Sequence, residues 1–408
     1  MSTPPRNKPD DLPPPELVAD GEGLEDLLRA LEGESHIAVD TEADSFYHYQ
    51  EKVCLLQVTA GDRDWLIDPL ADVDLEPLGE VLADPRREKI FHDGEYDVLI
   101  LRREYGFRFR NLFDTRIAAA ALGSESPGLA SVLNHYFGLE LDKSQQRSDW
   151  SRRPLSPQQV AYARLDTHYL IPLAERMRES LDERGRLMIV EGECARLEEM
   201  EPPDRGFHPD EFVRLKGARG LRPKSLRALR ELYAWRDGQA RERDVPPFKV
   251  LAHGALVAVA RTLPRNLREL ERVEGLSPRL AKRLGRDLLA VLDEARDMEP
   301  LARIPKPPPK AGEPRLDEIE GELHDRLKQW RKNRAEAEGM DSSLVMNRLA
   351  LRHLAIGRPA DRAALAATEC VQDWQVERYG DELTALVAEF ERDLAAGKVP
   401  PPTRRRRR

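Results

Sequence analysis

The second half of the chain repeats itself at a fixed distance. A shift of 95 residues aligns Trp235 with Trp330 without any gap. The same shift aligns further identical pairs, which are Arg236 and Arg331, Ala240 and Ala335, Pro264 and Pro359, Gly285 and Gly380, and Leu288 and Leu383. Apolar residues follow helical periodicity in both stretches. The sequence therefore predicts two copies of one small all-α domain, over 208–298 and 316–394.

The first half of the chain follows a different pattern. The segments HIAVDTEAD, VCLLQVTA and DWLIDPL read as strands, and strand-like and helical segments alternate after them. This order is typical of an α/β layer with a mixed sheet flanked by helices, which we expect to span 21–204. Proline-rich composition predicts a disordered arm over 1–20 and a linker over 299–315, and 395–408 forms a basic tail.

Composition excludes two classes of protein. Hydrophobic residues make up 40% of the chain and charged residues 34%, and no stretch reaches the roughly 18 consecutive apolar residues of a spanning helix. A membrane protein and a fully disordered protein are therefore excluded. Cys54, Cys194 and Cys370 lack the spacing of a disulfide or metal motif, which favours a cytoplasmic location. No coiled-coil or interface segment stands out, so we expect a monomer.

Charge is divided unevenly along the chain. Residues 1–204 contain 23 Lys and Arg against 42 Asp and Glu, a net charge of −19, whereas residues 205–298 contain 21 against 13, or +8. Residues 299–408 contain 21 against 19. An acidic half followed by a basic segment suggests carboxylate chemistry in the first and polyanion binding in the second. The alternative is that these charges only keep two surfaces soluble.

Five residues of the first half carry the candidate chemistry. Asp40 and Glu42 end an apolar strand and, at positions i and i+2, point to the same face. Asp97 begins an apolar helix, and Tyr162 and Asp166 lie one turn apart on a later helix. Each feature alone has a structural explanation, as a solvated strand end, a helix cap or a buried Tyr–Asp hydrogen bond. Together they form a set of oxygen ligands within one α/β unit.

A set of converging carboxylates indicates a particular metal chemistry. Oxygen ligands suit Mg²⁺ or Mn²⁺, whereas zinc sites favour His and Cys. Several carboxylates can hold two such ions about 4 Å apart, the arrangement used in phosphodiester hydrolysis. The chain has neither the P-loop nor the GxGxxG motif, so enzymes of nucleoside triphosphates and dinucleotides are disfavoured.

Five segments carry a resemblance to a known family. They are VDTEADSFYHYQEKVCLLQV, KIFHDGEYDVLIL, NLFDTRIAAAALG, LDKSQQRSDWSRRPLS and YARLDTHYLIPL, and they cover 35–180 without an obvious gap. This part of the chain resembles the DEDD superfamily of 3′→5′ exonucleases, in the subgroup with tyrosine in the third motif, and within it the ribonuclease D family. The resemblance implies an α/β domain of the ribonuclease H-like type.

The resemblance also implies a role for each of the five residues. Asp40, Glu42 and Asp166 would bind the metal that holds the attacking water. Asp40 and Asp97 would bind a second metal near the leaving 3′ oxygen. Tyr162 would orient the water through its hydroxyl, since a phenol with an ordinary pKa of about 10 stays protonated at neutral pH.

The helical repeats resemble a nucleic-acid-binding module. Residues 208–298 are similar to the helicase-and-RNase-D C-terminal (HRDC) domain, and the second copy, 316–394, is a fainter match. We expect RNA contacts from Lys143, Arg147, Trp150 and Arg153 ahead of the third motif, and from Lys216, Arg219, Lys282, Arg283 and Arg286 in the first copy. The alternatives are that Trp150 is a core anchor and that the basic runs are only solvated faces.

Three further observations concern residues near these motifs. Phe46, Tyr47 and Tyr49 follow the first motif and are candidates for stacking on terminal bases, with packing as the alternative. His92 and Asp93 precede Asp97 and are candidates to shape the site, with a structural hydrogen bond as the alternative for His92. Asp114 is acidic and close to the motifs, but the family pattern does not make it a ligand.

The sequence thus predicts a cytoplasmic, Mg²⁺- or Mn²⁺-dependent 3′→5′ exoribonuclease with two metal ions. It would trim the 3′ ends of structured RNA, tRNA precursors being the usual substrates of the family, and release nucleoside 5′-monophosphates. A 3′→5′ DNA exonuclease is the enzyme alternative, because the same motifs serve both. An RNA-binding scaffold with an inactive nuclease fold is the alternative without catalysis.

Overall fold

The computed structural model describes residues 9, 12–203, 206–305 and 313–399. They form two compact units. The first unit comprises the described parts of Met1–Ala43, Val53–Pro202 and Gly312–Arg408, and the second comprises those of Asp44–Lys52 and Pro203–Ala311. Within the described ranges, no helix combines the length and the apolar character that a membrane crossing needs.

A six-stranded mixed sheet organises the first unit, as far as its residues are described. Its strands are β1 (Glu16–Val18), β2 (His36–Ala43), β3 (Val53–Ala60), β4 (Arg63–Ile67), β5 (Glu88–Phe91) and β6 (Leu112–Asp114), in the spatial order β1-β4-β3-β2-β5-β6. Strands β2, β3 and β4 pair antiparallel, while β1, β5 and β6 each run parallel to a neighbour. All of β3 is buried. The predicted mixed sheet is therefore confirmed, and its centre is covered on both faces.

Helices flank this sheet. They are α1 (Gly21–Ala30), α2 (Glu76–Ala83), α3 (Glu95–Tyr105), α4 (Thr115–Ala121), α5 (Leu129–Phe137), α6 (Pro157–His168), α7 (Leu170–Glu183) and α8 (Leu187–Glu199). The sequence sets several of their ends locally. Asp20 caps α1 by accepting a hydrogen bond from the Gly23 amide at 2.8 Å. Gly106 ends α3 in the left-handed conformation, with φ of 69°, where a side chain would be strained.

The sequence repeat is also a repeat of structure. The first copy contains α9 (Pro223–Glu242), α10 (Pro247–Val250), α11 (His253–Thr262), α12 (Leu267–Leu270) and α13 (Pro278–Asp297). The second contains α14 (Glu318–Glu338), α15 (Ser342–Val345), α16 (Arg348–Gly357), α17 (Arg362–Ala366) and α18 (Asp373–Ala395). Each helix of the first copy begins 95 residues before its counterpart. A hydrogen bond repeats as well, because Arg236 donates to the Leu251 carbonyl and Arg331 to the Met346 carbonyl.

The two copies differ in what they pack against. The second copy belongs to the same compact unit as the α/β domain, and buried residues of both form one continuous hydrophobic cluster. Gly192 of α8 lies against Trp374, and Gln372 donates a hydrogen bond to Glu193 at 3.1 Å. The first copy forms the second unit together with the connection between β2 and β3.

One predicted boundary changes. The disordered arm expected over 1–20 is wrong for its last part, because β1 pairs with β4 and the Val18 carbonyl accepts a hydrogen bond from the Asp68 amide at 2.8 Å. The rest of that prediction falls on residues 1–8 and 10–11, outside the described residues. Residues 306–312 of the predicted linker and 400–408 of the predicted basic tail lie outside them as well.

Candidate active site

Strand β2 supplies the first two acids from the interior of the sheet. In the register with β3, Asp40 lies opposite Gln57 and Glu42 opposite Leu55. Asp40 and Glu42 therefore lie on one face of the sheet, two residues apart on the strand. The third acid, Asp166, joins them from α6, and one carboxylate oxygen of each of the three residues lies within 4.8 Å of the others.

A buried aspartate that is not a ligand candidate holds the turn before α3. Asp114 accepts hydrogen bonds from four backbone amides, those of Asp93, Gly94, Arg116 and Ile117, at 2.7–3.1 Å. It therefore caps α4 and also fixes the turn that leads into α3. Asp97 sits in the first turn of α3, where it is buried and accepts a hydrogen bond from the Thr41 hydroxyl.

Helix α6 presents Tyr162 and Asp166 one turn apart. Its start is fixed by a capping box, in which Ser156 and Gln159 each bind the backbone amide of the other. The Tyr162 hydroxyl interacts with the Asp166 carboxylate and with the Gln146 side chain. Burial, and then the charges of Asp166, Glu42 and Asp40, raise the pKa of Tyr162 far above its ordinary value. The phenol is therefore a hydrogen-bond donor and acceptor at neutral pH, not a base.

Trp150 lies beneath this tyrosine in the core. Its side chain is 1% exposed, it packs with Cys54, Leu55 and Ala163, and its ring centre lies 6.1 Å from that of Tyr162. The prediction that Trp150 contacts RNA is therefore wrong, because a side chain inside the core cannot stack on a base. The alternative, that it is a core anchor, is the one observed.

The three carboxylates and Tyr162 open into a cavity of about 270 Å³. Its wall also contains His92, Asp93, Arg116, Gly128, Leu129 and Gln146. The His92 ring hydrogen-bonds the Thr115 hydroxyl at 2.8 Å, and burial lowers its pKa to about 4, so it is a neutral structural residue. Arg116 is the one basic side chain among the residues described as lining this cavity, and it lies 3.4 Å from Asp93.

The electrostatics of the site favour a bound cation. Burial, and then the charges of Asp97, Asp166 and Glu42, raise the pKa of Asp40 well above its ordinary value. Burial also raises the pKa of Glu42 strongly, that of Asp97 to about 7 and that of Asp166 to about 8. Acids that oppose one another's ionisation in this way fit a divalent cation, which would compensate their charge. The donors are all oxygen atoms, which suits Mg²⁺ or Mn²⁺.

Comparisons with known proteins agree with this geometry. Residues 15–182 match the model of a 3′-5′ exonuclease family, and 225–292 and 320–387 each match the HRDC domain. Ribonuclease D of Pseudomonas paraeruginosa is 33% identical over 374 residues, which cover 90% of this chain and 96% of that protein. The chain belongs to the ribonuclease D family. It is a 3′→5′ exoribonuclease, and its family depends on divalent metal ions.

Solved structures place the fold in the same family. The crystal structure of Escherichia coli RNase D has 28% sequence identity and a TM-score of 0.63, covering 92% of this chain and 99% of that one. The catalytic core of RRP6 from Trypanosoma brucei has 30% identity and a TM-score of 0.64, covering 72% of this chain and 83% of that one. The predicted fold class, a nuclease domain followed by two HRDC domains, is therefore confirmed.

One predicted RNA contact of this ribonuclease D-type domain is occupied within the protein. Arg153 directs its side-chain N–H groups to both carboxylate oxygens of Asp68 and to the carbonyls of Cys54, Trp150 and Arg152, at 2.5–2.8 Å. A guanidinium has five N–H donors, and that of Arg153 makes five hydrogen bonds within the protein. The prediction that Arg153 binds phosphate is therefore wrong, and its role is to anchor the segment before α6. Lys143 and Arg147 are exposed, and their RNA contacts stay predictions.

The aromatic residues after the first motif contact the first HRDC copy within the second unit. The Tyr49 hydroxyl donates to the Asp237 carboxylate at 2.9 Å, and Lys249 lies 4.1 Å from the centre of the Tyr47 ring. The rings of Phe46 and Phe248 meet edge to face, 6.3 Å apart. The alternative to base stacking is therefore observed, because Phe46, Tyr47 and Tyr49 pack against other residues of the protein.

The basic residues predicted in the first HRDC copy are all exposed. They are Lys216 and Arg219 near the start of the copy, and Lys282, Arg283 and Arg286 on α13. The second copy reverses this character, because Glu377 and Asp381 stand where the first has Lys282 and Arg286. Arg378, at the position of Arg283, forms an ion pair with Glu338 at 2.8 Å.

Among the residues that line the cavity, sequence reasoning missed two long polar side chains. Gln146 and Arg116 both lie inside segments that carry the family resemblance. Glutamine and arginine are not typical metal ligands, so the spacing of residues along the sequence gave no reason to select Gln146 and Arg116. The signal that finds them is spatial, since each approaches the acids from a separate loop or helix.

Proposed function

We propose that this exoribonuclease trims the 3′ ends of structured RNA, tRNA precursors among them, by hydrolysis with two divalent ions. One observation carries the proposal, which is the group of Asp40, Glu42 and Asp166 with oxygens within 4.8 Å of one another, beside Tyr162. Escherichia coli RNase D, to which the chain is similar, is an exoribonuclease involved in structured RNA processing. The released products would be nucleoside 5′-monophosphates.

Each acid has a place in this proposal. Asp40, Glu42 and Asp166 would hold one ion, and Asp40 and Asp97 a second. Bound there, the ions would supply a water of lowered pKa and would stabilise the leaving 3′ oxygen. Tyr162 keeps its proton and interacts with Asp166 and Gln146, so its hydroxyl would orient the attacking water rather than deprotonate it.

Arg116 is the residue we propose to meet the RNA backbone inside the cavity. The wall there is acidic, and a phosphodiester that enters must be held against this charge. A guanidinium offers paired N–H donors that match phosphate oxygens. Asp93, at 3.4 Å, holds Arg116 without burying it, because the Arg116 side chain is 44% exposed.

The body of the RNA would bind the first HRDC copy. Its exposed cations, Lys282, Arg283 and Arg286, follow one another along α13, whereas the second copy has acids or an ion-paired arginine at the matching positions. Phosphate contacts of this kind carry affinity without sequence preference. The second copy, joined to the nuclease core, would mainly serve as a scaffold.

The test uses the full chain, because removing the second copy would expose the core that it shares with the nuclease domain. The variant Lys282→Gln, Arg283→Gln, Arg286→Gln is compared with wild type on a tRNA precursor and on a six-nucleotide RNA. We expect KM to rise on the precursor by about tenfold or more and to change little on the short RNA. An equal change on both substrates would contradict the proposed binding role.

A matched control is available in the second HRDC copy. Lys328→Gln, Lys332→Gln, Arg392→Gln removes the same number of exposed charges there. We expect the KM of this control variant on the tRNA precursor to stay nearly unchanged.

We also propose that the enzyme acts as a monomer and that it is cytoplasmic. The cytoplasmic location is proposed because Cys54, Cys194 and Cys370 are all free thiols.

A further inference from the structure

Gln57 is a buried polar side chain whose amide has no hydrogen-bond partner among the described residues. It lies in the middle of β3 and is 0% exposed. Neither its Nε2 nor its Oε1 atom is bonded to any described group. An unpaired buried amide costs folding free energy, and a native protein that keeps one requires an explanation.

The position of Gln57 supplies that explanation. In the antiparallel register of β2 and β3, Gln57 is directly opposite Asp40. Side chains of directly opposed residues lie on the same face of a sheet, with Cβ atoms about 5 Å apart. A glutamine side chain spans that separation, so its amide and the Asp40 carboxylate are within reach of each other.

The face that Gln57 shares is the one covered by α6. Leu55, two residues before it, packs with Trp150 and Ala163. Thr59, two residues after it, shares a hydrogen bond with the Thr167 hydroxyl at 2.8 Å. Gln57 therefore lies beneath α6, the helix that carries Tyr162 and Asp166. Its neighbours on this face of β3 are Leu55, which makes an apolar contact, and Thr59, which is hydrogen-bonded.

We infer that Gln57 is a positioning residue for the metal site, and this inference rests on the proposed function. Its Nε2 group donates a hydrogen bond to the Asp40 carboxylate when Asp40 holds a divalent ion. A carboxylate only accepts hydrogen bonds, so the amide N–H is the matching group. Asp40 is the acid assigned to both ions, and a donor behind it fixes the direction of its remaining lone pairs. Residues that orient ligands in this way change metal affinity by about 10- to 100-fold.

The inference makes two predictions of opposite sign for Gln57→Leu, which keeps the size of the side chain and removes its polar atoms. In EDTA, the melting temperature of the full chain rises by about 3 °C, because an unpaired buried amide is gone. Mn²⁺ affinity, measured by calorimetry on the folded protein without RNA, falls by about tenfold or more. A residue that merely fills space would give no loss of affinity.

Thr59→Val is the matched control, since it alters the same face of the same strand. It breaks hydrogen bonds to Asp64 and Thr167, so its melting temperature falls while its Mn²⁺ affinity is kept. Unchanged affinity in Gln57→Leu would overturn the inference. A fall in its melting temperature in EDTA would also overturn it, because the amide would then be satisfied in the metal-free fold. If wild-type protein fails to bind Mn²⁺, the two-ion mechanism itself fails, which is a distinguishable result.

Discussion

Thr41 donates a hydrogen bond from its hydroxyl to the carboxylate of Asp97, with 2.5 Å between Oγ1 and Oδ1. Thr41 stands between Asp40 and Glu42 on β2, so the strand that carries two of the acids also holds the acid from α3. Burial raises the pKa of Asp97. The hydrogen bond from Thr41 opposes this rise, because it favours the ionised carboxylate. Strand β2 therefore positions Asp97 and also favours the ionised form of its carboxylate, which is the form that binds a cation.

Thr41→Val tests this link. The substitution keeps the shape of the side chain and removes the donor, so the pKa of Asp97 rises further and ion binding weakens. We expect kcat/KM to fall about tenfold at limiting Mg²⁺ and to recover at high Mg²⁺. Thr384→Val, which removes a hydroxyl from the second HRDC copy, should leave the Mg²⁺ dependence as it is. An unchanged Mg²⁺ dependence in Thr41→Val would refute the role of the hydrogen bond.

Arg116→Gln tests the phosphate contact proposed for the cavity. We expect KM for RNA to rise about five- to tenfold, with a smaller change in kcat. The slope of log KM against log salt concentration should fall by about 0.7, the loss of one phosphate contact to a single strand. Arg108→Gln removes an exposed arginine of the same domain outside the cavity wall and should change neither quantity. A normal salt slope in Arg116→Gln would count against the contact.

The raised pKa values of the acids predict how stability depends on pH without metal. The pKa of Asp97 is raised to about 7 and that of Asp166 to about 8, by burial in both cases, whereas an unfolded chain has values near 4. The folded state therefore binds more protons than the unfolded state between about pH 4 and 8. Its stability must fall as pH rises through this window. Divalent ions require the ionised acids, so they should stabilise more at pH 8.5 than at pH 6.

Thermal unfolding between pH 6 and 8.5, in EDTA and in Mn²⁺, measures this effect. We expect the melting temperature in EDTA to drop by several degrees across the range and Mn²⁺ to restore it. Asp166→Asn should flatten the drop, since it removes one of the titrating groups. The same slope in wild type and in this variant would show that the decline comes from elsewhere.

The contact of Gly192 with the second HRDC copy predicts a packing defect. A Cβ atom added at Gly192 would lie 2.6 Å from Nε1 of Trp374 and even closer to the Gln372 amide oxygen. Gly192→Ala should therefore lower the free energy of unfolding by about 1–3 kcal/mol, measured by urea denaturation. Gly321→Ala is the control, because nothing lies within 4 Å of its added Cβ on α14, and it should stabilise by about 0.5–1 kcal/mol. Equal effects of both substitutions would contradict the tight contact.

The sequence predicted the local parts of this protein better than their assembly. Strand β2 with its two acids, Tyr162 and Asp166 on one helix, and the repeated helices all follow from spacing and periodicity, which are properties of neighbouring residues. The union of the second HRDC copy with the nuclease core does not, because it depends on contacts such as that between Glu193 and Gln372, 179 residues apart.

The errors at single residues have the same origin. Trp150 and Arg153 lie in a segment whose composition suits RNA binding. In the fold, however, Trp150 is buried in the core and Arg153 donates its hydrogen bonds to acceptors of the protein itself. Arg116 and Gln57 become notable only through what lies opposite them. A strand register and a cavity wall are spatial facts, and a single sequence does not record them.

We propose Asp40, Glu42, Asp97 and Asp166 as the metal site of this 3′→5′ exoribonuclease. The most direct test incubates purified protein and Mg²⁺ with a 5′-labelled duplex bearing a single-stranded 3′ tail, made as RNA and as DNA, with Asp97→Asn and Asp166→Asn alongside. We predict a ladder of single-nucleotide steps on RNA, with slower shortening of DNA, and at least a thousandfold loss in both variants, which should still bind RNA. Undiminished cleavage by either variant, or cleavage without divalent ions, would contradict this assignment of the metal site.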